Sequence, residues 1–383
     1  GAGQSARPIK NERSCWRCAM LRRLYIHNFR CLQNFEIKPE KQTSLLLIGK
    51  NGVGKSTIAK VLSLFQKLGT GMSRVASLVT QEDFTLGRTD EIIQFELETS
   101  LDSKICKYSL ALDKPETFRE LRVVEEDFSV DDVPVYTRKK AEVSYPYQKT
   151  SFSLDWHNAA LPLILERRDG PLQAFRNWLR RMHILSPIPQ LMGGESHGNS
   201  GPLSLSCDNF ADYLLELLTA HPASYVSIHN FLKELMPDLR EFSNKQITDD
   251  TRVLQVRFGN EDSSFTTNFH QLSDGEKCMF LGAVMLPAQR SYGDFFVFWD
   301  EPDNYLALSE VEHFIRFLRK NFNNDSQIWM TSHHEGTINC FSHENTLLLR
   351  RKNHASPVEL RPINELLDST ESVTQKLYRN ELD

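Results

Sequence analysis

Residues Gly49-Lys50-Asn51-Gly52-Val53-Gly54-Lys55-Ser56 satisfy the phosphate-binding pattern G-x-x-x-x-G-K-[ST] at every fixed position. Glycines let successive backbone N–H groups curl around phosphate oxygens, the Lys55 ammonium supplies charge to the β and γ phosphates, and the Ser56 hydroxyl faces a Mg²⁺ ion. The alternative, a glycine-rich turn with a chance lysine, is disfavoured by the flanking sequence. Leu45-Leu46-Leu47-Ile48 reads as a strand buried on both faces, and Ile58, Val61, Leu62 and Phe65 follow at helical spacing. The chain is therefore expected to bind a nucleoside triphosphate through Gly49, Asn51, Gly52, Val53, Gly54, Lys55, Ser56 and Thr57.

Phe295-Phe296-Val297-Phe298-Trp299 is an apolar strand that delivers Asp300 and Glu301 at its C-terminal end, where open α/β sheets place their ligands. Asp300 is expected to hold Mg²⁺ directly or through water, and Glu301 to orient and deprotonate an attacking water. An ordinary Asp-Glu-Pro turn is the alternative. Leu272-Ser273-Asp274-Gly275-Glu276-Lys277 precedes an apolar helix, and Ser273 with Glu276 forms a capping box that needs no further role. Gly275 is less ordinary, because glycine in a helix costs about 1 kcal/mol relative to alanine. Close approach of its backbone to a ligand would explain it. Thr331-Ser332-His333-His334 closes the strand QIWMT, from which a histidine could reach a γ-phosphate or simply lie on the surface. His333-His334-Glu335 lacks the spacing of zinc ligands on one helical face.

The elements that must carry these residues follow from patterning. LRRLYIHNF, NFEIKP and TSLLLIG read as strands, and segments between about 90 and 155, such as IIQFELET and ICKYSLAL, read as an antiparallel lobe. Helices return from 171 to 221, with Pro171 in a first turn and Phe210, Tyr213, Leu214, Leu217 and Leu218 on one face. Prolines spread from Pro115 to Pro237 rule out a long coiled-coil arm there, and the Gly- and Ser-rich stretch 191 to 206 reads as a flexible loop. Alternating helices and apolar strands after 271 indicate a parallel sheet. The expected division is a leader or remnant over 1–19, an N-terminal lobe over 20–160, a helical insertion lobe over 161–270 and a C-terminal lobe over 271–383.

The 383 residues carry 45 Lys+Arg against 50 Asp+Glu, a net charge of −5, with 40% hydrophobic and 25% charged residues. That composition excludes disordered and collagenous classes and argues against a chain that coats nucleic acid over its whole surface. No run approaches the roughly 20 apolar residues of a membrane span, and the N-terminus lacks an apolar signal core, so a cytoplasmic protein is expected. Seven cysteines fit reduced thiols, and Cys15 and Cys18 have no second pair with which to bind zinc.

Taken in this order, the four motifs resemble the ATP-binding-cassette type of ATPase head, in the group that contains RecF, SMC and overcoming-lysogenisation-defect proteins. LYIHNFRCLQNFEI is similar to that group's opening strand pair, LSDGEK to its signature segment, FWDEPDNYL to its Walker B and D-loop, and TSHH to its histidine switch. The resemblance implies an α/β P-loop NTPase of ABC-ATPase type: a mixed sheet, an antiparallel β lobe, and a helical lobe carrying the signature motif. It also implies a homodimer or higher oligomer in which Ser273 and Gly275 of one copy close over ATP and Mg²⁺ held by the other. Lys55, Glu301 and His333 would be its catalytic residues, with Glu301 the base and His333 the γ-phosphate sensor. Arg30 would reach the nucleotide, and Gln190 would join Ser56 and Asp300 at the metal. Ala307 stands where many cassette ATPases carry the D-loop aspartate.

The stretch between Lys55 and Ser273 is too long for a compact transporter cassette and too short and proline-rich for SMC arms. The segment after His333 is too short for the nuclease domain of the overcoming-lysogenisation-defect type. The expected function is an ATP-hydrolysing head that controls a separate effector, a nuclease or toxin, in anti-phage defence or DNA repair. Two alternatives stand beside it: a scaffold that dimerises on ATP with little turnover, and the nucleotide-binding subunit of a transporter. Arg176, Arg180 and Arg181, together with Arg167-Arg168 and Arg350-Arg351-Lys352, are candidate contacts to DNA or RNA, against the alternative of a solvated charged face.

Overall fold

A computed structural model describes residues 19–39, 42–165, 170–260, 263–293, 295–322, 326–368, 371–379 and 381–382. Cys15, Cys18, Arg167 and Arg168 lie outside the described residues. The central sheet has six strands in the order His183–Leu185, Phe295–Asp300, Ser326–Ser332, Ser44–Ile48, Thr346–Arg350 and Glu359–Pro362. All neighbours run parallel except the last pair, which is antiparallel.

Its three middle strands are buried at every residue. Their side chains alternate between two cores. Leu45, Leu47, Phe296, Phe298 and Trp329 enter one, while Leu46, Ile48, Val297, Trp299, Ile328 and Met330 enter the other. Continuous apolar runs are what a sheet covered on both faces requires.

The first core is closed by the helices Lys55–Gly69 and Pro171–Arg181 and by an eight-stranded antiparallel sheet. That sheet runs Phe35–Ile37, Met20–His27, Ile93–Leu101, Lys104–Asp113, Arg122–Val130, Val133–Lys139, Glu142–Tyr145 and Thr150–Ser153. Strict alternation of buried and half-buried residues along Ile93–Leu101 shows its single apolar face. The second core is closed by Asp274–Tyr292 and Leu308–Asn321, by Phe210–Ala220 and Ser224–Leu235, and by a small sheet built on Leu239–Gln246 and Arg252–Gly259. The sheet class, the antiparallel lobe and the parallel C-terminal strands thus follow the sequence reading.

The stretch 191 to 206 departs from it. Glu195–Ser196 pairs with Arg252 and Val253, and Asp212 accepts the backbone N–H groups of His197 and Asn199, so its polar groups are tied to neighbouring elements. Among the described residues no helix is long and apolar enough to cross a membrane.

Candidate functional site

The site forms where three parallel strands end side by side. Register pairs Asp300 with Thr331 and Ser332 with Ile48, which brings the ends of Phe295–Asp300 and Ser326–Ser332 level with the start of the phosphate loop. Within that loop Gly54 has φ 104°, and a Cβ there would lie 2.8 Å from Cys31 Sγ. Gly49 is as constrained, since its Cβ would lie 2.6 Å from the Leu349 carbonyl oxygen. Gly54 precedes the helix Lys55–Gly69 without a side-chain cap, so the helix offers unpaired N–H groups and a positive dipole end to an anion.

Lys55 is only 5% exposed and folds back over its own loop. Its ammonium donates to the carbonyls of Gly49 at 2.8 Å and Lys50 at 3.3 Å, and lies 4.0 Å from Glu301 Oε1. Burial pushes its pKa down, opposed by the Glu301 and Asp300 carboxylates. Ser56 is exposed beside it.

Asp300 is buried and held from two sides: Thr331 Oγ1 donates to Oδ1 at 2.5 Å and Ser186 Oγ to Oδ2 at 3.3 Å. Glu301 adopts the left-handed region at φ 51°, a conformation that costs a non-glycine residue about 1–3 kcal/mol unless its surroundings enforce it. Here Thr331 enforces it. The Glu301 N–H donates to the Thr331 carbonyl at 3.2 Å and to Oγ1 at 3.0 Å. This turn aims the Glu301 carboxylate at His333, whose Nδ1 lies 3.2 Å from Oε1. Asp300, Glu301, Lys55 and His333 are therefore one cluster.

Among the described residues no three His, Cys, Asp or Glu side chains gather to bind a metal by themselves. One carboxylate and one hydroxyl, Asp300 and Ser56, fit a Mg²⁺ that takes its remaining ligands from phosphate oxygens and water.

The other predicted residues lie around this cluster. Ser273 caps Asp274–Tyr292 as half of the capping box, its Oγ 3.3 Å from the Glu276 N–H. The crowding at Gly275 arises within the chain: a Cβ there would stand 2.8 Å from the carbonyl oxygen of Tyr305, in the loop after Glu301. Gln190 donates to Asp274 Oδ2 at 2.5 Å, which places its amide on the helix Asp274–Tyr292 and not on Asp300. Arg30 pairs with Asp83 at 2.7 Å and lines a groove with Gly52, Thr57 and Arg351. Arg350, Arg351 and Lys352 wall a hollow against residues 49–53. The Arg176 guanidinium turns inward to the carbonyls of Leu161, Pro162 and Ile164, whereas Arg180 and Arg181 are exposed.

Sequence reasoning missed Ser186 and the buried Asp303, and gave Thr331 and Ser332 no part in holding the acids. Two adjacent hydroxyls directly after the apolar run Ile328-Trp329-Met330 were the available signal.

Comparison with known proteins fits this geometry. A family model described as "AAA domain, putative AbiEii toxin, Type IV TA system" matches residues 44–339. No curated protein matches the chain. The structure described as the SmcHead bound to the C-winged helix domain of ScpA is similar over 91% of this chain and 99% of that one, with 12% identity and a TM-score of 0.54. The Smc head domain with an extended coiled coil, bound to the C-terminal domain of ScpA derived from Pyrococcus furiosus, is similar over 95% and 100%, with 12% identity and a TM-score of 0.52. The fold is that of these Smc head domains.

Proposed function

The chain belongs to the AAA-domain family whose model it matches over residues 44–339, and we propose that it is an ATP-hydrolysing head that closes into a dimer around ATP and Mg²⁺ and drives a separate effector. One observation carries the reading: the Glu301 carboxylate sits between His333 and Lys55, at 3.2 and 4.0 Å, beside a separately anchored Asp300. Such an arrangement serves in-line attack of water on a terminal phosphate. Glu301 accepts the water proton as the new bond to phosphorus forms and the bond to the bridging oxygen breaks.

Lys55 and the N–H groups of the loop and helix start neutralise the phosphate oxygens, and His333 contacts the γ-phosphate. Ser56 and Asp300 would hold Mg²⁺, which when bound would supply further charge neutralisation at those oxygens. Gln190 would reach such an ion only by leaving Asp274. Arg30 borders the nucleotide from the Asp83 side.

Ser273 and Gly275 of a second copy complete the site in this reading, since Ser273 is exposed at the start of its helix. The similar Smc heads are described as bound to ScpA domains, and by analogy this head would pass its closure to a partner protein. A nuclease or toxin of a defence or repair system is the proposed class of partner, with Arg180 and Arg181 as the remaining candidate contacts to DNA or RNA. Steady-state release of phosphate from Mg-ATP by the purified chain, abolished in Glu301→Gln, tests the hydrolytic reading. Equal release by that variant refutes it.

A further inference from the structure

Asp303 is 3% exposed and two residues beyond Glu301, and the hydrolytic reading gives it no part. Its Oδ2 accepts two hydroxyls from either side of His333: Ser332 Oγ, at the end of the strand Ser326–Ser332, at 2.5 Å, and Thr337 Oγ1, in the short helix Glu335–Ile338. Ser332 Oγ in turn accepts the His334 N–H at 2.8 Å. These contacts fix the backbone on both sides of His333. The His333 ring itself is half exposed, and the hydrogen-bond partner found for it is Glu301 Oε1 at 3.2 Å.

A buried carboxylate costs several kcal/mol unless hydrogen bonds repay its desolvation, so its presence here requires an explanation. A hydrophobic residue could fill the same space between the two segments. What a hydrophobic residue could not do is fix their register, because apolar contacts are non-directional and hydrogen bonds are not. Glu301 is anchored independently, through Thr331. Two anchors therefore set the distance between the Glu301 and His333 side chains: Thr331 on the glutamate side, and Asp303 through Ser332 and Thr337 on the histidine side.

We propose that Asp303 is a positioning residue that holds His333 at the Glu301 carboxylate by gripping Ser332 and Thr337. It touches neither substrate nor metal. The proposal rests on the hydrolytic reading for its effect on turnover, but its geometric content is independent of turnover.

The test uses Asp303→Asn, which keeps size and one acceptor oxygen, with Ser332→Ala as a second variant should the first fold poorly. Three quantities are read: affinity for a fluorescent ATP analogue, turnover, and the ring ¹³C–¹H resonance of His333, assigned by its loss in His333→Gln. The expected result is nucleotide affinity within twofold of the parent chain and turnover down by roughly tenfold. The His333 resonance should be displaced, and Asp303→Asn should add nothing to the deficit of His333→Gln, as for residues that act as a unit. An undisplaced resonance overturns the proposal whether or not the chain hydrolyses ATP, as do multiplicative deficits in the double variant. Absence of turnover in the parent chain, with the resonance displaced in the variant, sinks the hydrolytic reading and leaves the positioning role standing.

Discussion

The Lys55 ammonium stands 4.0 Å from the Glu301 carboxylate, with its hydrogen bonds spent on the carbonyls of its own loop. Bound phosphates would offer that ammonium stronger, charged acceptors than two neutral carbonyls. A hydrogen bond to a charged group is worth about 1.5–3 kcal/mol, so Lys55→Ala is expected to weaken Mg-ATP binding roughly 10- to 100-fold. The melting temperature without nucleotide should not fall, because the change removes a desolvated cation. Equilibrium binding of a fluorescent ATP analogue, with thermal melting alongside, checks both. Unaltered affinity would remove Lys55 from the phosphate site.

Far from the nucleotide site, Glu126 and Arg138 form a fully buried ion pair at 3.2 Å in the antiparallel lobe. Glu126 also accepts the hydroxyls of Tyr108 and Tyr136, each at 3.0 Å, and the N–H groups of Ala160 and Leu161. Both Tyr hydroxyls have pKa values raised by burial, with the Glu126 carboxylate adding to the effect, and so remain donors. Glu126→Leu leaves Arg138 buried without its counter-charge and is expected to cost about 3–5 kcal/mol. Glu126→Gln, which keeps an acceptor oxygen, should cost less. Urea midpoints rank the two, and equal losses would show that a neutral acceptor oxygen recovers nothing, so that the carboxylate charge carries the whole contribution.

How much of this was legible beforehand depends on the range of the interaction involved. The phosphate loop, the Asp300-Glu301 pair and the apolar strands are local patterns, and the sequence displays them directly. The all-apolar run Phe295–Trp299 even implied that both faces of its strand would be covered. Gly275 was legible as an anomaly but not in its cause, since the crowding comes from Tyr305 in another loop. Arg176 read as surface charge because nothing local shows that its guanidinium turns to the carbonyls of 161–164. Buried polar contacts between neighbouring strands or between a turn and a strand end, such as Glu126 with Arg138 or Asp303 with Ser332, carry no periodic signal and became visible only in three dimensions.

His183 is buried at the edge of the central sheet, its Nε2 2.7 Å from the Tyr213 hydroxyl, and burial pushes its pKa down to about 4. Its folded pKa therefore lies below the unfolded value of about 6.5, so between those pH values the unfolded chain binds more protons. Stability from this group is complete above about pH 6.5 and is lost as the pH falls towards 4, by on the order of 3 kcal/mol in total. His183→Gln, which cannot titrate, is expected to flatten the stability profile across that window. Denaturant midpoints at pH 7 and 5 measure the difference, and parallel profiles for parent and variant would contradict the assignment.

Ser273 separates a helix cap from a residue shared between two copies. As a cap it is worth about 0.5–2 kcal/mol to Asp274–Tyr292, and that role is confined to one chain. In the shared-site reading each nucleotide adds contacts that exist only in the closed pair, so ATP stabilises the pair by linkage. Glu301→Gln keeps the shape of the glutamate but removes the base, and should therefore trap ATP unhydrolysed. Light scattering is expected to show this variant moving from monomer to dimer, or to a larger assembly, when Mg-ATP is added. Adding Ser273→Arg should reverse the shift, because the larger side chain occupies the space where the opposing phosphate would come, while the melting temperature falls only by the cost of a lost cap. Assembly that persists in the double variant would confine Ser273 to its hydrogen bond with Glu276. A Glu301→Gln protein that binds ATP but keeps its mass would refute closure around the nucleotide altogether.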